Sequence, residues 1–323
     1  MNSDLSTPET LLEVIRHFAD ERTAWNYFVA RRWPDGVTCP HCGGTGKIHL
    51  IESRLRFRCN DCGEQFSAKT GSIFEASPIG FSKWLPAIWM ITNAKNGISS
   101  YEIHRGLGVT QKTAWFMLHR IRLAMQNGSY EKLGGPDVSG VEVDETYIGG
   151  KAKNMHSDKR KAKIRRGLDA RTGGQVGKDI VLGFLERGGK VRTLHIPDTR
   201  QGRVQAMFIR NVKFESDIYT DAHGSYSALY NWYRHSVIDH AVSYVAGQVH
   251  TNGIENYWSL LKRTISGTYV SVEPFHLFRY LDEQAFRYNE RKGNDANRFE
   301  QVVVNATGRR LTYAALTGKE RVQ

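Results

Sequence analysis

Between residues 250 and 265, apolar side chains recur at the spacing of a helix face. Ile254, Tyr257, Trp258, Leu261 and Ile265 fall at i, i+3, i+4 and i+7 and predict a core-facing stripe. Asn252, Glu255, Ser259 and Lys262 form the polar stripe, on which Glu255 and Lys262, two turns apart, project from nearly the same side. The expected arrangement is a buried carboxylate facing a basic residue. Upstream, Val141–Ile148 alternates like a strand, with Val141 and Val143 inward and Glu142 and Asp144 outward. Ile180–Leu185 and Val191–Ile196 alternate in the same way. A helix over Gln201–Val212, a strand over Asp217–Thr220, a short helix over Ser225–Trp232 and a strand over Ser236–Asp239 follow. Three strands, a helix, then alternating strands and helices is the order of a ribonuclease H-like α/β domain, here expected over residues 137–291.

The N-terminal half reads differently. Residues 1–33 predict a helical segment opened by Pro8-Glu9 and carrying Leu11, Leu12, Val14, Ile15, Phe18, Trp25, Tyr27 and Phe28 on one amphipathic helix. Residues 34–76 are Gly-rich and short-stranded. Residues 77–128 predict helices broken at Gly97 and around Gly106–Gly108, and Gly128–Gly140 predicts a linker. Beyond the α/β domain, 292–323 reads as a tail with short apolar clusters. The chain is thus expected to be a multi-domain α/β protein.

Composition narrows the partners. Forty-five Lys and Arg against thirty-three Asp and Glu give a formal net charge of +12, which favours a polyanion such as nucleic acid. The first residues lack the charged and apolar regions of a signal peptide, and no stretch approaches the length of a membrane span. The expectation is a cytoplasmic, nucleoid-associated protein with no membrane partner. Between Lys151 and Lys178, ten Lys or Arg accompany only Asp158 and Asp169; such a run is either a solvated loop or a phosphate-tracking surface.

All four cysteines lie in two Cys-x-x-Cys pairs, Cys39/Cys42 and Cys59/Cys62, separated by sixteen residues. That spacing lets four thiolates converge on one Zn²⁺ across a hairpin, as a zinc ribbon, and a closed Cys₄ shell makes the zinc structural. Two disulfides are the weaker reading in a reducing compartment. In Ile98–Arg122, Ser99 is placed to cap one helix, Gly106 and Gly108 to turn the chain, and Thr110 to cap a second helix: a helix-turn-helix. Gln111, Lys112 and Thr113 would then face base edges, and Arg120 and Arg122 would hold phosphates. The plainer alternative is an αα-hairpin that only packs.

Hydrolysis or transfer of phosphodiesters by paired divalent ions needs a few carboxylates gathered from rigid elements. Asp144 on the first strand, Asp221 at the end of the fourth and Glu255 on the later helix are the candidates. A single Asp at a strand end is usually a turn residue, and Glu255 with Lys262 alone would be a surface ion pair; three acids from three elements are a different matter, since like charges so close demand cations. Glu142, Glu145, Asn252 and Asn256 are rival ligands, and His223 and His250 stand near enough to act or merely to satisfy hydrogen bonds.

In combination these motifs resemble the prokaryotic insertion-sequence DDE transposases of the ISXO2-like branch, which join a zinc ribbon and a helix-turn-helix to a ribonuclease H-like domain with a DD(E/N)K set. The likeness runs from Cys39 through Arg291. Val-Asp-Glu-Thr-Tyr makes Asp144 the first acid, Tyr-Thr-Asp-Ala-His-Gly makes Asp221 the second, Asn-Gly-Ile-Glu-Asn-Tyr-Trp makes Glu255 the third, and Lys262 matches the trailing lysine. Because the branch carries Glu or Asn at the third position, Asn252 and Asn256 keep a claim. The resemblance implies Mg²⁺ (or Mn²⁺) held by Asp144, Asp221 and Glu255, binding of double-stranded DNA at element ends and target, cleavage followed by strand transfer, and a homo-oligomer on DNA. The competing reading is a domesticated, sequence-specific DNA-binding regulator that no longer cuts.

Overall fold

The computed structural model describes residues 6–126, 131–149, 158, 161, 178–222, 224–227, 229–238 and 250–319. The chain divides into two compact units, one of residues up to 126 together with those from 290 onward, the other of residues 127–289. Among the described residues no helix is long and apolar enough to cross a membrane.

In the first unit, the single amphipathic helix expected near the start is two. Helix α1 (Leu11–His17) carries a capping box between Thr10 and Glu13, and α2 (Glu21–Arg32) is restarted by Asp20, whose carboxylate accepts the Thr23 N–H at 2.8 Å. A small antiparallel sheet follows: β1 (Ile48–Ile51), β2 (Arg56–Cys59) and β3 (Gln65–Ser67), in that order. Its inner face is aromatic, with Phe57 stacked on Trp25 at 5.5 Å and on Phe66 at 5.4 Å between ring centroids. Three helices complete the run: α3 (Phe81–Asn93), α4 (Ser100–Leu107) and α5 (Gln111–Met125).

The expected C-terminal tail is instead part of this unit's core. Phe299, on the helix Asp295–Val304, is fully buried and packs against Phe18, Tyr27 and Trp89. Backbone bonds from Ile73 N–H to Ala306 and from Gly308 N–H to Gly71, each 2.9 Å, sew the segment in. Its apolar clusters are short because the partners they bury lie some two hundred residues away in sequence.

The second unit is built on a five-stranded mixed sheet of β4 (Val141–Ile148), β5 (Asp179–Glu186), β6 (Val191–Ile196), β7 (Asp217–Asp221) and β8 (Arg234–Ile238), in spatial order β6-β5-β4-β7-β8. Pairs β4/β5 and β5/β6 are antiparallel, β4/β7 and β7/β8 parallel. Helix α6 (Gln201–Asn211) packs on one face, where Val143, Phe184, Val204, Phe208 and Ile218 are buried together. Helices α7 (Asn252–Arg263) and α8 (Leu277–Asn289) cover the other, with Val181, Leu185, Ile254, Tyr257, Leu261 and Leu281. The predicted apolar stripe of α7 is buried throughout, Ile254, Tyr257 and Leu261 completely.

Three details of this unit differ from expectation. The short helix over 225–232 is two separate 3₁₀ turns, Gly224–Tyr226 and Leu229–Asn231. The expected linker is partly structural: Leu133 is buried, its N–H bonds the Asn211 carbonyl at 2.8 Å and its carbonyl accepts the Lys213 N–H at 2.9 Å. Both faces of β4 are covered, so Glu142 is buried rather than outward in solvent.

Candidate active site and zinc centre

The two Cys-x-x-Cys pairs form near-identical knuckles. Gly43 N–H bonds the Cys39 carbonyl and Gly63 N–H the Cys59 carbonyl, each at 2.9 Å, while Cys39 N–H reaches the Gly44 carbonyl and Cys59 N–H the Glu64 carbonyl. Each knuckle turns on a left-handed glycine, Gly43 at φ 77° and Gly63 at φ 78°, where a side chain would be strained. All four sulfurs lie within 4.8 Å of one another and none is in a disulfide. The Cys39–Cys62 and Cys42–Cys59 separations are 3.8 and 3.7 Å; a tetrahedron with Zn–S bonds of about 2.3 Å has edges of about 3.8 Å, so the donor set fits zinc. Burial opposes ionisation of Cys39, yet the N–H groups of Cys42 and His41 and the neighbouring sulfurs bring its thiol down to about 7, which favours the thiolate a metal needs.

In α4 and α5 the sequence reading holds at each cap. Ser99 and Glu102 form a capping box, Gly108 closes α4 in the left-handed conformation, and Thr110 accepts the Thr113 N–H at 3.1 Å. Lys112 is exposed, with its ammonium 4.7 Å from the Tyr313 ring centroid. Gln111 donates from its side-chain amide to Ser100 Oγ at 2.9 Å, and Thr113 pairs its hydroxyl with that of Thr110. Arg120 and Arg122 depart from expectation: they are 5% and 1% exposed. Arg120 donates to the Leu311 carbonyl at 3.2 Å and lies over the Phe116 ring, so these guanidiniums belong to the interior of the unit and are not placed to meet phosphate. Position 120 falls on a face of α5 that meets the distant C-terminal segment at Leu311, which no local pattern announces.

The carboxylates gather where β7 ends at Asp221 beside the middle of its parallel neighbour β4. Asp144, Glu145 and Asp221 have side-chain oxygens within 4.8 Å of one another. Asp144 Oδ2 accepts the Trp258 indole N–H at 2.9 Å and Oδ1 accepts the Glu145 N–H at 2.8 Å. The Glu145 carboxylate accepts the hydroxyl of Tyr226 from the turn after β7. Burial, then the charges of Glu145 and Asp221, push the Asp144 carboxyl up to about 7. Burial and the Glu145 charge likewise raise the Tyr226 hydroxyl, which keeps it a proton donor. Three acids held this close fit a divalent cation, whose charge would return Asp144 to its ionised form.

Helix α7 forms the facing wall. Thr251, Glu255, Trp258, Ser259 and Lys262 line, with the three acids and Thr146, an open cleft of about 480 Å³. Glu255 is exposed rather than buried, accepts the Thr251 hydroxyl at 3.0 Å, and stands outside the tight group of three. Asn252 and Asn256 are exposed on the same helix and do not line the cleft. Glu142 is removed from the ligand candidates: its oxygens are taken by Arg187 at 3.0 Å and by the Ile254 N–H at 2.9 Å, and His250 Nδ1 lies 3.3 Å away. His223 and most of the basic run from Lys151 to Lys178 lie outside the described residues.

Sequence reasoning missed what supports the site. The Trp258–Asp144 bond, the Glu142–Arg187 pair and two glycines went unread. A Cβ on Gly253 would stand 2.7 Å from Glu142 Oε2 and 2.8 Å from Leu185 Cδ2, so the glycine of Asn-Gly-Ile-Glu is what lets α7 begin against the sheet. The one available signal was a glycine, Gly183, inside an otherwise apolar strand, which marks close approach of another group.

Residues 132–289 match the ISXO2-like transposase domain, and residues 19–65 the transposase zinc-ribbon domain. The chain is 28% identical over 260 residues, 78% of its length and 85% of the relative's, to a Halobacterium salinarum protein described as an uncharacterized protein in transposable element ISH50. It is 29% identical over 101 residues, 31% of its length and 81% of the relative's, to an uncharacterized transposase-like protein of Haemophilus influenzae. No solved structure matches. The chain thus carries an ISXO2-like transposase domain preceded by a transposase zinc ribbon.

Proposed function

We propose that the protein binds the terminal inverted repeats of an insertion sequence and carries out divalent-metal-dependent DNA cleavage and strand transfer. The observation that carries this reading is the meeting of Asp144, Glu145 and Asp221 within 4.8 Å, opposite a helix that lines the same cleft with Glu255 and Lys262. The strand order, with Asp144 and Asp221 on adjacent parallel strands, supports a ribonuclease H-like fold. Asp144 and Asp221, with Glu255 across the cleft and Glu145 beside them, would hold Mg²⁺ or Mn²⁺. Such ions, when bound, stabilise the attacking and leaving oxygens of an in-line phosphoryl transfer.

The chain's own residues account for the rest of the reading. Asp144, raised towards neutrality, is poised to lose its proton as cation charge arrives. Lys262, exposed on the cleft wall, is placed to pair with a DNA phosphate beside the reacting one. In the first unit, α4 and α5 serve as a helix-turn-helix, with Lys112 the most accessible of the three residues at the start of α5. Assembly as a homo-oligomer on paired element ends completes the proposal.

The test uses double-stranded oligonucleotides carrying the inverted repeats that flank the gene. Mg²⁺-dependent nicking and joining by the wild type, lost in Asp144→Asn and Asp221→Asn, is the expected result. Specific binding with no nicking or joining at correct ends would favour a regulator that has lost cleavage.

A further inference from the structure

Strand β4 and helix α7 meet at matched spacing. Glu142 and Asp144, two apart on one strand face, are separated by about 6.6 Å along it. Ile254 and Trp258, one turn apart, are separated by about 6 Å along the helix. Glu142 accepts the Ile254 N–H and Asp144 accepts the Trp258 indole N–H, each at 2.9 Å. Room for the indole comes from Gly183, the cross-strand partner of Asp144 on β5. A Cβ at Gly183 would stand 2.5 Å from Trp258 Cη2, 2.6 Å from its Cζ2 and 2.9 Å from Ile254 Cδ1. Trp258 is 4% exposed, and a buried indole N–H, which can only donate, needs an acceptor.

We propose that Trp258 is the positioning residue of the Asp144 carboxylate. Its indole N–H fixes Oδ2 on the helix side, as the Glu145 N–H holds Oδ1, and so sets the orientation in which the carboxylate lines the cleft with Asp221 and Glu145. The same bond ties the helix bearing Glu255 and Lys262 to the strand bearing Asp144, so the two walls of the cleft keep one separation. Apolar packing alone would not select tryptophan here: phenylalanine would fill much of the same space over Gly183 without reaching the acid. This inference rests on the reading of the cleft as a divalent-ion site.

The test is direct Mn²⁺ binding by calorimetry on zinc-loaded full-length protein, without DNA. Trp258→Phe is expected to retain its far-UV circular dichroism and to weaken Mn²⁺ binding about 10- to 100-fold, the usual range for loss of a group that orients a metal ligand. Gly183→Ala, which displaces the indole, should act in the same direction. In ¹⁵N-labelled wild type, the Trp258 indole N–H resonance should move on Mg²⁺ titration and in Asp144→Asn, a response that a purely packed tryptophan would not give. Folded Trp258→Phe that binds Mn²⁺ as the wild type does would overturn the role of Trp258 and leave the metal-site reading standing. A wild type that binds no Mn²⁺ would overturn both. Should Trp258→Phe fail to fold, the wild-type resonance decides: an indole signal indifferent to both Mg²⁺ and Asp144→Asn overturns the proposal.

Discussion

Arg187 lies 3.0 Å from the Glu142 carboxylate with its guanidinium carbon 3.8 Å from the centroid of the Tyr219 ring, and it also donates to the His250 carbonyl at 2.7 Å. One residue thereby joins β4, β7 and the segment leading into α7. Because the side chains of Arg187 and Glu142 are only 11% and 2% exposed, removing either partner strands a charge largely shielded from water. Glu142→Ala and Arg187→Ala are each expected to cost about 3–5 kcal/mol in urea-induced unfolding of the second unit. Effects below about 1 kcal/mol would show that the pair is more hydrated than its burial implies.

Glycines near α7 should sort by what surrounds them. Gly253→Ala places a methyl against Glu142 and Leu185 and should destabilise by about 1–3 kcal/mol, with loss of Mn²⁺ affinity as the helix shifts off the sheet. Gly202, in α6, has nothing within 4 Å of its would-be Cβ. Gly202→Ala should therefore be neutral or stabilising, by up to about 1 kcal/mol. Thermal melts of the two variants should move in opposite directions, or the second should stay still.

The pH dependence of the protein with an empty carboxylate site follows from Asp144. Its folded value of about 7 lies above its ordinary value of 3.8, so between those limits the folded state holds the extra proton. Stability contributed by this group is complete at low pH and falls as pH rises through about 7, by at most about 4 kcal/mol. Zinc-loaded protein free of Mg²⁺ should accordingly show a lower urea midpoint at pH 8 than Asp144→Asn does, relative to each at pH 5. Added Mg²⁺ should abolish the difference, since the cation supplies the charge that burial withholds.

Zinc removal should unravel the ribbon. Cys59 is fully buried at the end of β2, two residues from the stacked Phe57 ring. Cys59→Ser, or treatment with a strong chelator, is expected to release one zinc per chain and to change tryptophan fluorescence as Trp25 loses its stack on Phe57. Metal analysis that finds no zinc in protein purified without chelators would remove the basis of this prediction.

Two cations of α5 should behave differently. Lys112, exposed, should weaken binding to the element ends when changed to Ala and lower the slope of log affinity against log salt by about 1, with stability unaltered. Arg120, buried against Phe116 and the Leu311 carbonyl, should lose stability when changed to Ala while the salt slope stays unchanged. Anisotropy titrations at several salt concentrations, paired with thermal melts, separate the two effects.

The sequence by itself determined whatever is local in the chain. The Cys-x-x-Cys spacings dictate a knuckle each, Ser99, Gly108 and Thr110 mark the ends of α4 and α5, and the apolar stripe from Ile254 to Ile265 fixes which side of α7 is buried. Caps, turns and periodicity act over a few residues, so they can be read there. Only the tertiary structure decided which polar groups are spent on the fold and which are left for chemistry. Glu142 and Asp144 share a strand face and a charge, yet one is consumed by Arg187 and the start of α7 while the other opens onto the cleft with Glu145. Arg120 and Arg122 look like phosphate ligands until the packed unit buries both, Arg120 against the Leu311 carbonyl nearly two hundred residues on. The physical reason is that a carboxylate or guanidinium takes its protonation and its partners from its surroundings, and those come from elements the chain brings together across long separations.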